Sequence, residues 1–281
     1  MAANIDMHTH STASDGVNSP ALNIRLAAEK GMGGLAVTDH DTVSGVSEAL
    51  CEADNYSNFI CIPGIEISTL ANGQDIHVLG YFIDHENAEF LSKLEQLRTV
   101  RNKRNEKIVK NLQKLGFSIT MEEVAAKKKS SGGNIGRPHI AEVLMEKGII
   151  SSLREAFEKY LGKGKAAYAV TERISPAEAI KIIFDAGGVP VLAHPGLYDQ
   201  DELIPMLKEQ GLAGLEVYHS DHSAEQEAHY RHLAERYQLI PTGGSDYHGI
   251  RNGTVFHGEL GNRYSDLKTV ERLKSFSKKY R

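Results

Sequence analysis

Ile5-Asp6-Met7-His8-Thr9-His10 reads as a short strand that closes on two imidazoles. Residues two apart in a strand face the same side, so His8 and His10 can reach one metal ion together. Asp15 follows on the loop leaving that strand. The pattern then recurs along the chain. A second apolar run ends in Thr38-Asp39-His40-Asp41, and Glu66 sits inside a third, Pro63-Gly64-Ile65-Glu66-Ile67-Ser68. His77 lies in Asp75-Ile76-His77-Val78-Leu79-Gly80, His194 in Ala193-His194-Pro195, and Asp246 and His248 in Gly244-Ser245-Asp246-Tyr247-His248. One His-x-His could be coincidence. Buried barrel strands should read as continuous Val, Ile and Leu, and ionisable groups there are costly unless paired or metal-bound. Their recurrence at six strand candidates points to one shared site, because strand ends of an α/β barrel converge on one mouth.

The strand candidates span 5–10, 34–38, 60–67, 76–82, 189–194, 212–217 and 239–243. Between and after them lie helical patterns at 21–30, 44–55, 176–186, 201–209, 224–237 and 267–278. Alternation of this kind predicts a largely parallel α/β sheet, and about seven strands suit a closed barrel better than an open sheet. The alternation breaks in the middle, where 90–115, 121–128, 138–146 and 153–160 read as helices separated by Gly- and Lys-rich loops such as Ser130-Ser131-Gly132-Gly133. The expected organisation is a barrel first part at 1–84, a mainly helical insertion at 85–172 and a barrel second part at 173–281.

Composition sets the outer limits. The 281 residues carry a net charge of -5, which argues against a protein that coats nucleic acid, and no stable DNA binding is expected. No apolar run approaches the roughly 20 residues of a membrane span, and the first residues show no signal-peptide pattern. Cys51 and Cys61 make neither a disulfide framework nor a thiolate site, so a reducing cytoplasm is the expected location. Charge is unevenly spread: residues 92–137 hold twelve Lys/Arg against four Asp/Glu, a local +8 that leaves -13 on the rest. Such a distribution points to a localised anion-binding element.

His8, His10, Asp15, His40, Glu66, His77, His194, Asp246 and His248 are too many ligands for one ion. With Glu66 as a bridge they suit two or three. Mixed imidazole and carboxylate donors favour manganese, zinc or iron over calcium or magnesium. Among the remaining histidines, His219 and His222 precede a helix, and their capping or supporting roles stand beside catalytic ones. His229 and His232 belong on a solvated helix face, and His257 could approach the mouth from a late loop. Glu216 interrupts the sixth strand, where it could hydrogen-bond within the core or meet substrate.

Taken in order, these motifs resemble the polymerase and histidinol phosphatase (PHP) superfamily. The resemblance implies a distorted seven-stranded (βα) barrel with a trinuclear site for divalent ions, manganese first and zinc or iron as alternatives. By that pattern His8, His10, Glu66 and Asp246 hold one ion, Asp15, His40 and His248 a second, and Glu66, His77 and His194 a third. The catalytic water would be held by His8, His10, Asp15, Glu66, His194 and Asp246, with Asp39 orienting ligand imidazoles. No Ser or Cys nucleophile motif is present, so a covalent phosphoenzyme is not expected.

Within the insertion, Leu94, Leu97, Arg101, Arg104, Ile108, Asn111 and Leu115 follow one helical stripe, which aims two guanidinium groups inward. Such groups need a barrel carboxylate or a phosphate. Arg98-x-x-Arg101-x-x-Arg104, Gly136-Arg137-Pro138-His139 and Phe157-Glu158-Lys159-Tyr160-Leu161 resemble one PHP branch, the nucleoside 3′,5′-bisphosphate phosphatases and related 5′–3′ exoribonucleases acting on short RNA. Similarity places Arg101, Arg104, Arg137 and His139 around the substrate phosphate away from the metals, while Lys127-Lys128-Lys129 reads as a solvated loop. The alternatives are histidinol phosphate hydrolysis, an amidohydrolase-type metal enzyme, and a metal-stabilised nucleotide sensor or assembly module without catalysis. Base preference, oligomeric state and pathway are not legible.

Overall fold

The computed structural model describes residues 4–128, 133–251 and 253–279. Lys129 of the lysine triplet and loop residues Ser130, Ser131 and Gly132 lie outside them. Seven strands form one sheet in sequence order: β1 (Ile5–Asp6), β2 (Gly34–Val37), β3 (Ile60–Ala71), β4 (Gln74–Tyr81), β5 (Val189–Leu192), β6 (Gly214–His219) and β7 (Ile240–Gly244). The ends of the sheet approach each other, with the Met7 N–H donating to the Gly243 carbonyl at 3.3 Å and an isolated bridge joining Thr9 to Tyr247. This is the seven-stranded α/β barrel expected from the alternating pattern.

The sheet is largely parallel, as expected, and β4 is the exception, running antiparallel to both β3 and β5. The cause is local: Asn72-Gly73 takes φ of 49° and 70°, the two left-handed residues of a tight hairpin turn. Reversal has a functional consequence. Register pairs Ser68 with His77 and Leu70 with Asp75, so the beginning of β4, not its end, stands at the mouth beyond Glu66. The first strand is also shorter than the expected 5–10, since β1 stops at Asp6 and His8 and His10 lie on the irregular segment that follows.

Helices pack outside the sheet: α1 (Pro20–Glu29), α2 (Val46–Ala53), α7 (Pro176–Asp185), α8 (Leu203–Glu209), α9 (Ala224–Arg236) and α10 (Leu267–Lys279). Their starts are written in side chains. Ser19 caps α1 ahead of Pro20, and Ser175–Glu178 and Ser223–Gln226 form reciprocal capping boxes on α7 and α9. The barrel interior is filled by residues such as Ile5, Met7, Ile62, Leu79, Tyr81 and Val191, all fully buried.

Between β4 and β5 the chain leaves the barrel as α3 (Ala88–Lys114), α4 (Met121–Ala125), α5 (Arg137–Glu146) and α6 (Leu153–Ala156), which runs into a π-helical turn at Phe157–Leu161. Ile108, Leu112, Ile140, Leu144 and Leu161 belong to a hydrophobic cluster of this segment's own. Helix α3 ties it down, because Phe90 and Leu94 at its start pack in the barrel's helix layer instead. A two-stranded hairpin that the sequence pattern did not suggest, β8 (Ile250–Arg251) and β9 (Thr254–Val255), follows the last barrel strand.

Candidate metal centre

Glu66 is the middle of the mouth. Its Oε2 lies 2.8 Å from His40 Nδ1, 3.2 Å from His10 Nε2 and 3.4 Å from His8 Nε2. Its Oε1 lies 2.7 Å from His77 Nδ1 and 3.0 Å from His194 Nε2. Asp246 Oδ1 stands 3.0 Å from His10 Nε2 and 3.4 Å from His8 Nε2, and Asp15 Oδ1 stands 3.3 Å from His248 Nε2. All nine sequence-selected residues therefore meet in one place.

A bound cation would account for what hydrogen bonding does not. His8 Nε2, His10 Nε2, His40 Nδ1, Asp15 Oδ1, Glu66 Oε2 and Asp246 Oδ1 are buried with no hydrogen-bond partner. Buried polar atoms are seldom left so, and these six point at one another. Ligand atoms lie within 4.8 Å of one another in His8, His10 and Glu66, in His10, Asp15, His40 and His248, and in His40, Glu66 and His77. Such donor sets fit divalent cations. Burial alone would raise the Glu66 carboxyl, yet His40, His77 and His8 hold it well below the usual carboxylate range. Burial in turn lowers His194 and His248 to about 4, which keeps both rings neutral with a lone pair available for a metal.

A supporting layer fixes these groups. Glu216 lies 3.0 Å from His8 Nδ1 and accepts the His194 N–H at 2.8 Å, so its role is within the core. The Tyr198 hydroxyl lies 2.7 Å from His194 Nδ1 and accepts the His77 N–H at 3.0 Å. Asp39 touches no ligand imidazole directly. It accepts the Ser14 hydroxyl at 2.6 Å, and Ser14 Oγ lies 3.4 Å from His10 Nδ1. The Asp221 N–H donates to His219 Nδ1 at 3.1 Å, which puts the ring proton on Nε2 and aims it at Asp246 Oδ2, 3.4 Å away. His219 thus steadies Asp246. His222 is structural, bonding the Val217 carbonyl and the Gly196 N–H, while His229 pairs with Asp201 at the surface. His194, Asp246 and His257 adopt positive φ of 24°, 55° and 62°, backbone strain of the kind that collects at functional sites.

A cavity of about 390 Å³ opens over this cluster and extends to a group of arginines. Arg137 Nη2 lies 3.0 Å and Arg104 Nη1 3.5 Å from Asp75 Oδ2, and Arg173 pairs with Asp75 Oδ1. Three guanidinium groups thus share one carboxylate. Burial works against ionisation of Asp75, but Arg137, Arg173 and Arg104 hold it well below the usual range. Burial and the neighbouring Arg137, Arg101 and Arg173 depress Arg104. Arg104 Nε and Arg173 Nε and Nη1 are buried without a partner. An anion would relieve both the excess charge and the unpaired donors.

The other two residues selected for the substrate phosphate are differently engaged. Arg101 bonds Asp41 Oδ2 at 2.7 Å and Ser68 Oγ at 2.5 Å, which makes it a barrel salt bridge at the cavity wall. His139 Nδ1 accepts the Gly136 N–H at 3.0 Å and caps α5. Asp75 and Arg173 were not selected from sequence. Asp75 was within reach of that reading, because it lies two residues before His77 and so shares its strand face. Arg173 stands in an irregular segment with no periodicity to single it out.

A family model described as the PHP domain matches residues 6–240. The chain belongs to the PHP family. Within it, the chain is 34% identical over 249 residues to the 5′-3′ exoribonuclease Rnm of Escherichia coli, covering 86% of this chain and 84% of that one. It is 32% identical over 256 residues to the 3′,5′-nucleoside bisphosphate phosphatase of Chromobacterium violaceum, covering 89% of each. A crystal structure described as that of a metal-dependent phosphoesterase from Bifidobacterium adolescentis superposes with a TM-score of 0.89 at 31% identity, covering 98% of this chain and 96% of that one. This PHP protein is a metal-dependent phosphoesterase.

Proposed function

We propose that this enzyme removes the 3′-phosphate of nucleoside 3′,5′-bisphosphates and cleaves short 5′-phosphorylated RNA in the 5′–3′ direction. The observation that carries this reading is one cavity with two unlike ends. The Glu66 cluster would take the phosphate to be cleaved, and Arg104 and Arg137, which line the other end, would take a second phosphate, with Arg173 behind them on Asp75. Both relatives act on substrates named in these terms, RNA for one and a nucleoside bisphosphate for the other.

We assign three ions, manganese first, to His8, His10, Glu66 and Asp246, to Asp15, His40 and His248, and to Glu66, His77 and His194. The unpartnered atoms of His8, His10, Asp15, His40, Glu66 and Asp246, and the neutral rings of His194 and His248, support a metal cluster there. Bound divalent ions supply Lewis acidity and lower the pKa of water. The chain's own contribution is placement. The arginines fix the second phosphate, which turns binding energy into orientation of the scissile one. Glu216, Tyr198 and His219 hold the ligands still. We take 85–172 as an insertion between barrel parts 1–84 and 173–281, supported by its separate hydrophobic cluster. We also place the enzyme in the cytoplasm; among the described residues no helix is long and apolar enough to cross a membrane.

The test is manganese-dependent phosphate release from adenosine 3′,5′-bisphosphate, from 5′-phosphorylated RNA of two to five nucleotides and from histidinol phosphate. Cleavage of the bisphosphate or the RNA, with histidinol phosphate spared, is the expected result. Histidinol carries an ammonium group that three arginines repel. Cleavage of histidinol phosphate alone would remove the second-phosphate reading and leave only a phosphoesterase.

A further inference from the structure

Phe157 and Phe256 have no part in the metal cluster or in the arginine grip, yet both line the cavity between them. Their rings are near-parallel, at 26° with centroids 6.0 Å apart, although one comes from the insertion and the other from the segment after β9. Each ring abuts one end of the site. The Arg137 guanidinium lies 5.2 Å from the Phe157 centroid, and Arg137 also pairs with Asp75. The Phe256 ring stands edge-on to His248, 6.3 Å away at 82°, and 4.1 Å from His257. Phe157 moreover opens the π-helical turn at Phe157–Leu161, an irregularity frequent at functional sites. Both rings are half-buried, packed against the insertion's hydrophobic cluster while lining the charged cavity, so they present apolar aromatic surface to whatever enters it.

We propose that Phe157 and Phe256 form a nucleobase subsite on which the base of the substrate stacks. The inference rests on the bisphosphate reading above. A ribose whose two phosphates occupy the two ends of the cavity carries its base sideways from the line joining them, and this pair of rings borders that line at both ends. Phenylalanine has no hydrogen-bonding group, so the subsite accepts any base through its π-face. It therefore recognises a nucleoside without reading its sequence, as an enzyme that consumes successive nucleotides requires.

The measurement is kcat/KM on adenosine 3′,5′-bisphosphate divided by kcat/KM on the abasic ribose 3,5-bisphosphate, in wild type, Phe256→Leu, Phe157→Leu and Phe256→Tyr. Stacking makes this ratio about 10 to 100 in wild type. It falls below about a third of the wild-type value in both leucine variants and is retained in the tyrosine variant, which keeps a π-face. Partial misfolding lowers both substrates together and leaves the ratio intact. A wild-type ratio near one, or a ratio unchanged in both leucine variants, overturns the subsite. If wild type hydrolyses neither compound, the bisphosphate reading fails by itself. Calorimetry then decides the subsite separately: adenosine 5′-monophosphate binds more tightly than ribose 5-phosphate, and Phe256→Leu removes the difference, or the subsite is wrong.

Discussion

Glu66→Gln lowers kcat/KM on every phosphoester by about 10³-fold or more, with bound metal lost alongside activity. The expectation follows from geometry. Five imidazole nitrogens, from His8, His10, His40, His77 and His194, lie within 3.4 Å of this one carboxylate. Among the carboxylates of the cluster, only Glu66 pairs with His8 and His10 on one side and with His77 and His194 on the other. Glutamine keeps the size and removes the charge, and its amide nitrogen has no lone pair to offer a cation. A second readout separates metal loss from unfolding. Manganese binds the native state and raises Tm in wild type by mass action, and the rise is smaller in Glu66→Gln. An active variant with wild-type metal content would show that Glu66 is not the bridge.

Arg104→Met is expected to lower the ratio of kcat/KM on adenosine 3′,5′-bisphosphate to that on adenosine 3′-monophosphate by about 10- to 100-fold, the range of one or two lost hydrogen bonds to a charged group. Arg104 is 4% exposed and, among the described residues, pairs only with Asp75, at 3.5 Å, so it has donors to spare for a ligand. Asp75 keeps Arg137 and Arg173 in the variant, so no buried carboxylate is stranded and the fold is retained. Methionine also fills much of the vacated volume. Equal losses on the two substrates would make Arg104 a structural residue. Arg101→Ala is the less informative variant, because Arg101 already bonds Asp41 and Ser68.

The barrel and the residues that meet at its mouth were legible because both follow local rules. Each parallel strand declares itself as a short apolar run, and each ligand marks the point where that run meets the mouth. His8 and His10 kept their common target even though β1 ends at Asp6, since spacing along extended backbone survives the loss of regular pairing. The direction of β4 was also written locally, in Asn72-Gly73, but the dominant βα rhythm obscured it. What no local rule could supply is the company that a side chain keeps across the fold. Arg104, Arg137 and Arg173 stand on three separate segments and meet only because β4 is reversed and presents Asp75 above the mouth. The engagement of Arg101 with Asp41 depends on α3 lying against the end of β2, a packing choice that amphipathic spacing leaves open. Resemblance placed His139 at the substrate phosphate, while its glycine–arginine–proline setting reads as a helix start, and in the structure His139 caps that start.

Anomalous diffraction from crystals grown with manganese and measured at the metal's absorption edge tests the central claim most directly. The account predicts more than one anomalous peak inside the shell of His8, His10, Asp15, His40, Glu66, His77, His194, Asp246 and His248, with ligand distances of about 2.0–2.3 Å and Glu66 between two of the peaks. A shell without anomalous density, with Glu66 facing only its five imidazoles, would contradict it.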